Sequence, residues 1–241
     1  MAIQERPAGL LLPADDALPL PPELVLTIRT ARLEDSYPIL RLHSAAFADQ
    51  FGAAFGRQRD RGIDALADAW RRQGSAVMRG LYLACLGDEI VGTIALRTSD
   101  MRFDTSGATE IAFHRALGPW GAMRSMFALS LIDHRVGREE GFISDVAVSA
   151  AYQRRGIARL LLAHVEREAR ARRCRYLGLY VSAANLRARA LYQTAGFTDI
   201  RTRRSLLALL VVRQYAWNYM RKPVAAEPTI AEQQRSTDND V

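Results

Sequence analysis

One stretch of the chain, from Ile143 to Glu166, changes its hydrophobic period half way along. Ile143 to Val148 is short, apolar and β-branched, which is typical of a buried strand. From Ile157 onward the apolar residues fall on one helical face, at positions 157, 160, 161, 165 and 169. The stretch therefore predicts a strand, a turn and a helix in direct succession.

The turn between them reads Gln153-Arg154-Arg155-Gly156-Ile157-Ala158, and it is suited to hold an anion. The first N–H groups of a helix have no intrahelical partner, so they can point at phosphate oxygens. A glycine lets the backbone come close to a ligand, and the two arginines can add charge from either side. We expect a phosphate-bearing ligand at this turn.

A second segment, from Tyr176 to Phe197, repeats the order of strand and helix. Tyr176 to Ser182 reads as a strand, Asn185 follows, and Ala190-Leu-Tyr-Gln-Thr-Ala-Gly-Phe197 closes the segment. The turn resembles the acetyl-CoA signature (Gln/Arg-x-x-Gly-x-Gly/Ala) of the GCN5-related N-acetyltransferases, the GNAT superfamily. The second segment resembles that family's Asn…Ala-Leu-Tyr-x-x-x-Gly-Phe element. The resemblance covers roughly residues 25 to 222 and identifies no particular member.

The resemblance implies an α/β fold with a mixed sheet and helices on both faces. In the family, strands four and five are parallel and splay apart at one end. We expect a single GNAT domain over residues 23–222, between mobile tails at 1–22 and 223–241.

Other patterns predict the remaining elements. Asp35 is expected to cap a helix, and residues 48–61 to form a loop. The remaining predictions are strands at Leu24–Arg29, Leu81–Leu86, Ile90–Arg97 and Gln214–Arg221, a helix at Ile63–Arg72, and a short helical turn within Arg201–Leu210.

Residues 98–140 exceed a bare family core and are predicted to be a helical insert. Its helical face would include Met123, Phe127 and Leu131, within Trp120–Asp133. By analogy the insert could shape the acceptor pocket, or it could pack as an extra helix or a dimer surface. Three of its residues are interpreted as surface residues rather than catalysts: His114, Arg115 and His134.

The resemblance also implies where acetyl-CoA would bind. The pantetheine arm would pair with strand four like an added strand, and the pyrophosphate would meet the turn. Asn185 would contact the arm or the acyl group, although it could also serve only as a helix cap. The residues assigned to the cofactor are Val146, Ala147, Val148, Gln153, Arg154, Arg155, Gly156, Ile157, Ala158, Asn185 and Tyr192.

The motif also implies the catalytic group for the leaving thiolate. Tyr192 is assigned as the general acid, with a buried hydroxyl bonded to a turn as the alternative. The N–H of Val146 would meet the developing oxyanion.

A general base is needed because only about one in a thousand lysine-like amines is neutral at pH 7. Asp145 is the nearest carboxylate on strand four and is the favoured candidate, although strand alternation could turn it away from the acceptor. Glu140 and Glu110 are further candidates, and Ser144 could hold a relay water.

Composition limits the other functions. The net charge is +7, and Lys222 is the only lysine among 33 basic residues. The arginines are scattered, which favours solvated side chains over a binding surface and makes nucleic-acid binding a weak hypothesis. Cys85 and Cys174 are predicted to be buried thiols in a reducing, cytoplasmic compartment. No membrane partner is expected, because the longest apolar run, Leu206–Val212, is too short to span a bilayer.

The resemblance and these limits favour an N-acetyltransferase. It would move an acetyl group from acetyl-CoA to a primary amine, on a small molecule or on a protein N-terminus or lysine, by direct attack in a ternary complex. The alternative is a non-catalytic CoA-binding regulatory module. No metal is expected, and a homodimer is left open.

Overall fold

The computed structural model describes residues 25–101, 107–130, 134–206, 209 and 215–224. These residues form a seven-stranded sheet and six α-helices. The strands are β1 Leu26–Thr30, β2 Leu81–Leu86, β3 Glu89–Arg97, β4 Glu140–Val148, β5 Tyr176–Ser182, β6 Thr198–Arg204 and β7 Ala216–Pro223. The helices are α1 Ser36–Ala46, α2 Ala48–Phe55, α3 Arg59–Gln73, α4 Ala108–Ser130, α5 Ile157–Ala171 and α6 Leu186–Thr194.

The strands lie in the order β1-β2-β3-β4-β5-β7-β6. Strands β4 and β5 are parallel, and every other neighbouring pair is antiparallel. The predicted mixed sheet with a parallel fourth and fifth strand is therefore confirmed. Its last strand extends to Pro223, which pairs with Tyr176, so residue 223 belongs to the sheet and not to a tail.

Helices cover both faces of this sheet, as predicted. Buried side chains of α5, such as Leu161 and Val165, pack with Ile94 and Leu179 on one face. On the other face Ile39 of α1 packs with strand residues. The predicted stripe of α5 is wrong at position 160, because Leu160 is 49% exposed.

The prediction of a loop at residues 48–61 is wrong. This segment contains α2, a short 3-10 turn and the start of α3. Phe51 and Phe55 lie one helical turn apart and contact each other edge to face, and Phe55 contacts Phe113 of α4 in the same way. Burial of this aromatic pair stabilises the helix. Its helical spacing is hard to detect in the sequence because glycines and polar residues surround it.

Asp35 takes the N-cap position of α1, but its carboxylate does not cap that helix. It accepts two hydrogen bonds from the guanidinium of Arg29, at 2.7 and 2.8 Å, and one from the backbone N–H of Arg32. These hydrogen bonds, chiefly the one from Arg29, lower the pKa of Asp35. The prediction that Asp35 caps the helix is therefore wrong. Asp35 instead forms an ion pair with Arg29 that links β1 to the start of α1.

The insert is helical, as predicted, but its helix α4 begins earlier, at Ala108. Gly118, at φ 72°, and Pro119 interrupt the helix near its middle. Phe113 is fully buried against α2 and α3, whereas Met123, predicted to face inward, is 58% exposed. Residues 131–133 and the side chain of Phe127 lie outside the described parts of the chain, as does the predicted tail at 1–22.

A helical turn lies within 201–210, as predicted: β6 runs to Arg204, and the N–H of Leu209 then donates to the carbonyl of Ser205 at 3.1 Å. Residues 207, 208 and 210 lie outside the described chain. Among the helices that the structure describes, none is long and apolar enough to cross a membrane.

Candidate functional site

The centre of the sheet contains a gap between two parallel strands. Strands β4 and β5 pair only from Glu140–Tyr176 to Ile143–Leu179. Beyond that point β4 continues to pair with β3, and β5 continues to pair with β7. Within the described chain, residues 144–148 therefore have no strand partner on the edge of β4 that faces β5. The gap leaves room for an extended ligand that contains amides.

A bulge in β4 lies where the gap begins. Thr93 of β3 pairs with Ala147, and Ala95 pairs with Ser144, so two steps on β3 match three on β4. The extra residue brings Asp145 to φ 54°, in the left-handed region. A β-branched or bulky residue rarely takes this conformation, but aspartate tolerates it.

The bulge reverses the alternation of side chains along β4. Ile143, Val146 and Val148 all pack against the α5 side of the sheet, although a regular strand would separate them. Asp145 is exposed, and its carboxylate accepts a 2.8 Å hydrogen bond from the hydroxyl of Ser144. The two residues predicted to supply a base and a relay are thus in contact.

The predicted anion-binding turn ends at the N-terminus of α5. Gly156 is the N-cap residue at φ 79°, and Arg154 has φ 63°. The first intrahelical hydrogen bond runs from the N–H of Leu160 to the carbonyl of Gly156, and no described side chain caps the helix. Space in front of Gly156 is open, because a Cβ there would meet no described atom within 4 Å. The turn can therefore present helix N–H groups to an anion.

The side chains of the turn contact the end of β4. The amide of Gln153 donates to the carbonyl of Val148 at 3.2 Å. The guanidinium of Arg155 lies over the ring of Tyr152, 5.6 Å from its centroid. These contacts place the turn at the end of β4 where the gap is open.

Tyr192 lies in α6, on the α5 side of the sheet, and is 7% exposed. Its ring contacts Phe197 edge to face at 5.9 Å. Burial raises the pKa of Tyr192 to about 12, so the phenol keeps its proton at neutral pH. It can act as a hydrogen-bond donor but not as a base.

Asn185 caps α6, as the simpler interpretation predicted. Its side-chain oxygen accepts from the N–H of Ala188 at 3.0 Å. A contact from Asn185 to a ligand stays a prediction.

Glu140 is buried in a cluster on the other face of the sheet, toward α1. Both carboxylate oxygens lie 3.0 Å from Nε2 of His134, the N–H of Gly137 donates to Oε2 at 2.9 Å, and the hydroxyl of Tyr219 donates to Oε1 at 2.6 Å. Burial alone would raise the pKa of Glu140, but the hydrogen bond from His134 and its neighbours lower it. A carboxylate so fully bonded is a poor base.

The interpretation of His134 as a surface residue is wrong. Its ring stacks on Phe142 at 4.1 Å and pairs with Glu140. The sequence could not reveal this, because Tyr219, the third member of the cluster, lies 79 residues from Glu140. The other two residues of that prediction, His114 and Arg115, are exposed on α4.

Glu110, a further candidate base, lies away from the gap. It is exposed in the first turn of α4, 3.9 Å from His114, so it belongs to the helical layer and not to the strands around the gap.

Cys85 and Cys174 are both free and buried, as predicted. Among the described residues, no group of three or more His, Cys, Asp or Glu could hold a metal ion.

Strands β4 and β5 separate beside the N-terminus of α5, which no described side chain caps. This arrangement suits an extended ligand that contains a phosphate group. The model of the acetyltransferase (GNAT) family matches residues 43–197. The chain belongs to this family.

Curated relatives share part of the chain. A GCN5-related N-acetyltransferase 4, chloroplastic, from Arabidopsis thaliana is 28% identical over 190 residues, which are 75% of this chain and 62% of the relative. A [ribosomal protein bS18]-alanine N-acetyltransferase from Salmonella typhimurium is 39% identical over 67 residues, 28% of this chain and 45% of that protein. The chain thus spans less than two thirds of the length of either relative.

Solved structures resemble the fold over a greater length. The PaiA N-acetyltransferase from Thermoplasma acidophilum, solved in complex with coenzyme A, aligns with a TM-score of 0.53 over 83% of this chain and 99% of that one. Its sequence identity of 12% means that the likeness concerns the fold alone.

Proposed function

We propose that this protein is an N-acetyltransferase that moves an acetyl group from acetyl-CoA to a primary amine. The observation that carries the proposal is the gap between β4 and β5, which opens toward the uncapped N-terminus of α5. Membership in the GNAT family supports the same function.

The residues around the gap fit acetyl-CoA. Backbone groups of Val146, Ala147 and Val148 would pair with the amides of its pantetheine arm. The N–H groups of Gly156, Ile157 and Ala158 would bind the pyrophosphate, with Arg154 and Arg155 adding charge. When bound, acetyl-CoA supplies the acetyl group as a thioester.

Tyr192 would stabilise the leaving sulfur. Burial raises the pKa of Tyr192 to about 12, so the phenol holds a proton that it can share with the developing thiolate. The role that fits Tyr192 is therefore that of a hydrogen-bond donor and general acid to the leaving sulfur.

The amine would approach from the face of the sheet opposite α5 and α6. On that face Tyr180 follows the last β5 residue that pairs with β4, and its hydroxyl accepts from Arg201 at 3.0 Å. Asp145 lies at the bulge and would take the proton of the amine, directly or through Ser144 and a water. Glu140 would act instead as a structural anchor beneath this face.

Three classes of primary amine are candidates for the acceptor. The relative named for the alanine of a ribosomal protein makes a protein N-terminus one candidate. A lysine side chain and a small-molecule amine are the others. A reducing, cytoplasmic location fits the two free cysteines.

A thermal melt with and without acetyl-CoA tests the cofactor site before any acceptor is known. At about 100 times its Kd, the ligand should add roughly 2.7 kcal/mol to the free energy of unfolding. The melting temperature should therefore rise by about 5–10 °C for a chain of this size. No rise at millimolar acetyl-CoA would overturn the proposal.

Turnover then separates the enzyme from a CoA-binding module. Free coenzyme A released from acetyl-CoA is measured with a peptide that has an N-terminal alanine, a peptide with an internal lysine and a blocked N-terminus, and a polyamine. Release that depends on one of these amines supports the enzyme and identifies the acceptor class. Tight acetyl-CoA binding with no release on any amine would favour the regulatory module.

A further inference from the structure

A chain of two hydrogen bonds connects α1 to the bulge of β4. The hydroxyl of Thr93 on β3 donates to the backbone carbonyl of Asp145 at 2.9 Å. Nε2 of His43 on α1 lies 2.9 Å from the same hydroxyl. Thr93 is fully buried and His43 is 6% exposed, so the bond between these two side chains is shielded from water, and the bond to Asp145 is part-buried.

The direction of both bonds follows from the number of protons. A hydroxyl has one proton, and Thr93 gives it to the carbonyl of Asp145. The bond to His43 must then be donated by the Nε2–H of the imidazole. Burial lowers the pKa of His43, although the charge of Asp145 acts in the opposite direction. The ring is therefore neutral near pH 7, and its hydrogen bond to Thr93 places the single proton on Nε2.

The carbonyl of Asp145 needs this partner because of the bulge. A bulged residue leaves the regular ladder, and the hydroxyl of Thr93 supplies the carbonyl of Asp145 with a part-buried hydrogen bond in its place. The positive φ of Asp145 adds strain that its surroundings must hold in place. Val146, the next residue, begins the stretch that would pair with acetyl-CoA.

We infer that Thr93 and His43 are positioning residues for the acetyl-CoA groove. They fix the bulge of β4, and the bulge sets the direction of the backbone N–H and carbonyl groups from Val146 to Val148. This inference rests on the proposed cofactor site. It adds that groove geometry is set from α1 and β3, by side chains that contact neither substrate.

Thr93→Val tests the inference, because valine keeps the shape of threonine and removes the hydroxyl. The Kd for acetyl-CoA, measured by calorimetry, should rise about tenfold. Thr93→Ser keeps the hydroxyl and should stay within about twofold of the wild type. Thr98→Val is the matched control, since Thr98 is also buried but lies just beyond the end of β3, and its Kd should not change.

A purely structural role would lower stability without this selectivity. In steady-state assays Thr93→Val should raise the KM for acetyl-CoA more than the KM for the amine. A folded Thr93→Val protein with the wild-type Kd would overturn the inference, and so would an equal loss in Thr93→Ser. If Thr93→Val does not fold, His43→Leu tests the inference instead. Its Kd for acetyl-CoA should rise about threefold, and an unchanged Kd would overturn the inference.

The wild-type titration keeps the two proposals apart. Wild-type protein that does not bind acetyl-CoA would overturn the proposed function, and with it the role of the groove. Wild-type binding that survives in Thr93→Val would overturn only the positioning role.

Discussion

At the scale of the residue, the most informative change is Tyr192→Phe. The phenylalanine ring can keep the packing against Phe197, so the Kd for acetyl-CoA should stay within about twofold. Loss of a hydrogen bond to the leaving sulfur should lower kcat by about 100-fold. The measurement is kcat beside a calorimetric Kd, and unchanged turnover would remove Tyr192 from the mechanism.

Glu140 permits a second prediction at this scale. Glu140→Gln should destabilise the fold by about 1–3 kcal/mol, because the donors of His134, Gly137 and Tyr219 lose their shared carboxylate. Turnover per folded molecule should change little, since Glu140 is not the proposed base. Thermal melts measure the first expectation, and kcat per folded molecule measures the second. A large loss of kcat in fully folded protein would restore Glu140 as a candidate base.

The lowered pKa of Glu140 also predicts how stability depends on pH. A carboxyl with a depressed pKa in the folded state stabilises the fold above its unfolded value of 4.5. That contribution is lost as the pH falls from 4.5 through the folded pKa. Melts between pH 6 and pH 3 should therefore show a smaller loss of stability in Glu140→Gln than in the wild type, and parallel curves would contradict the assignment.

At the scale of the element, the turn before α5 can be tested through Gly156. A side chain at its φ of 79° would cost about 1–2 kcal/mol in backbone strain, while the open space in front of it leaves room for one. Gly156→Ala should therefore report strain alone. Gly156→Glu adds a negative charge where the phosphates should lie.

We expect Gly156→Glu to raise the Kd for acetyl-CoA at least tenfold beyond Gly156→Ala, with similar melting temperatures for the two ligand-free variants. Calorimetry and thermal melts measure the two quantities. Equal Kd values in the two variants would show that the phosphates bind elsewhere.

Elements also show what the sequence could predict. The strand, turn and helix from Ile143 to Glu166 were predictable, because each has a local period and the turn has a local motif. Helix α2 was not, because its amphipathic pattern is short and lies among glycines and polar residues. The bulge at Asp145 was not either, since it depends on Thr93 and His43, which are 52 and 50 residues from their bonded partners. Contacts over such distances leave no periodic signal in a single sequence.

At the scale of the whole molecule, the distribution of basic residues has a consequence for an enzyme that acetylates amines. Arginine does not lose its proton in proteins, so it cannot attack a thioester. Lys222 is the only lysine of the chain. Its Nζ lies 2.6 Å from the carboxylate of Glu166, and its side chain is 22% exposed. An ammonium held in this way has no lone pair for attack.

We therefore expect the folded protein to leave Lys222 unmodified when it turns over acetyl-CoA. Peptide mass spectrometry after incubation with acetyl-CoA should find Lys222 without an acetyl group, while the added acceptor amine is acetylated. Glu166→Gln is the matched variant: it removes the charged partner of Lys222 at almost constant volume and should increase acetylation at this position several-fold. Stoichiometric acetylation of Lys222 in the wild-type protein would show that the ion pair does not protect it, and that the pairing observed across α5 and β7 opens during turnover.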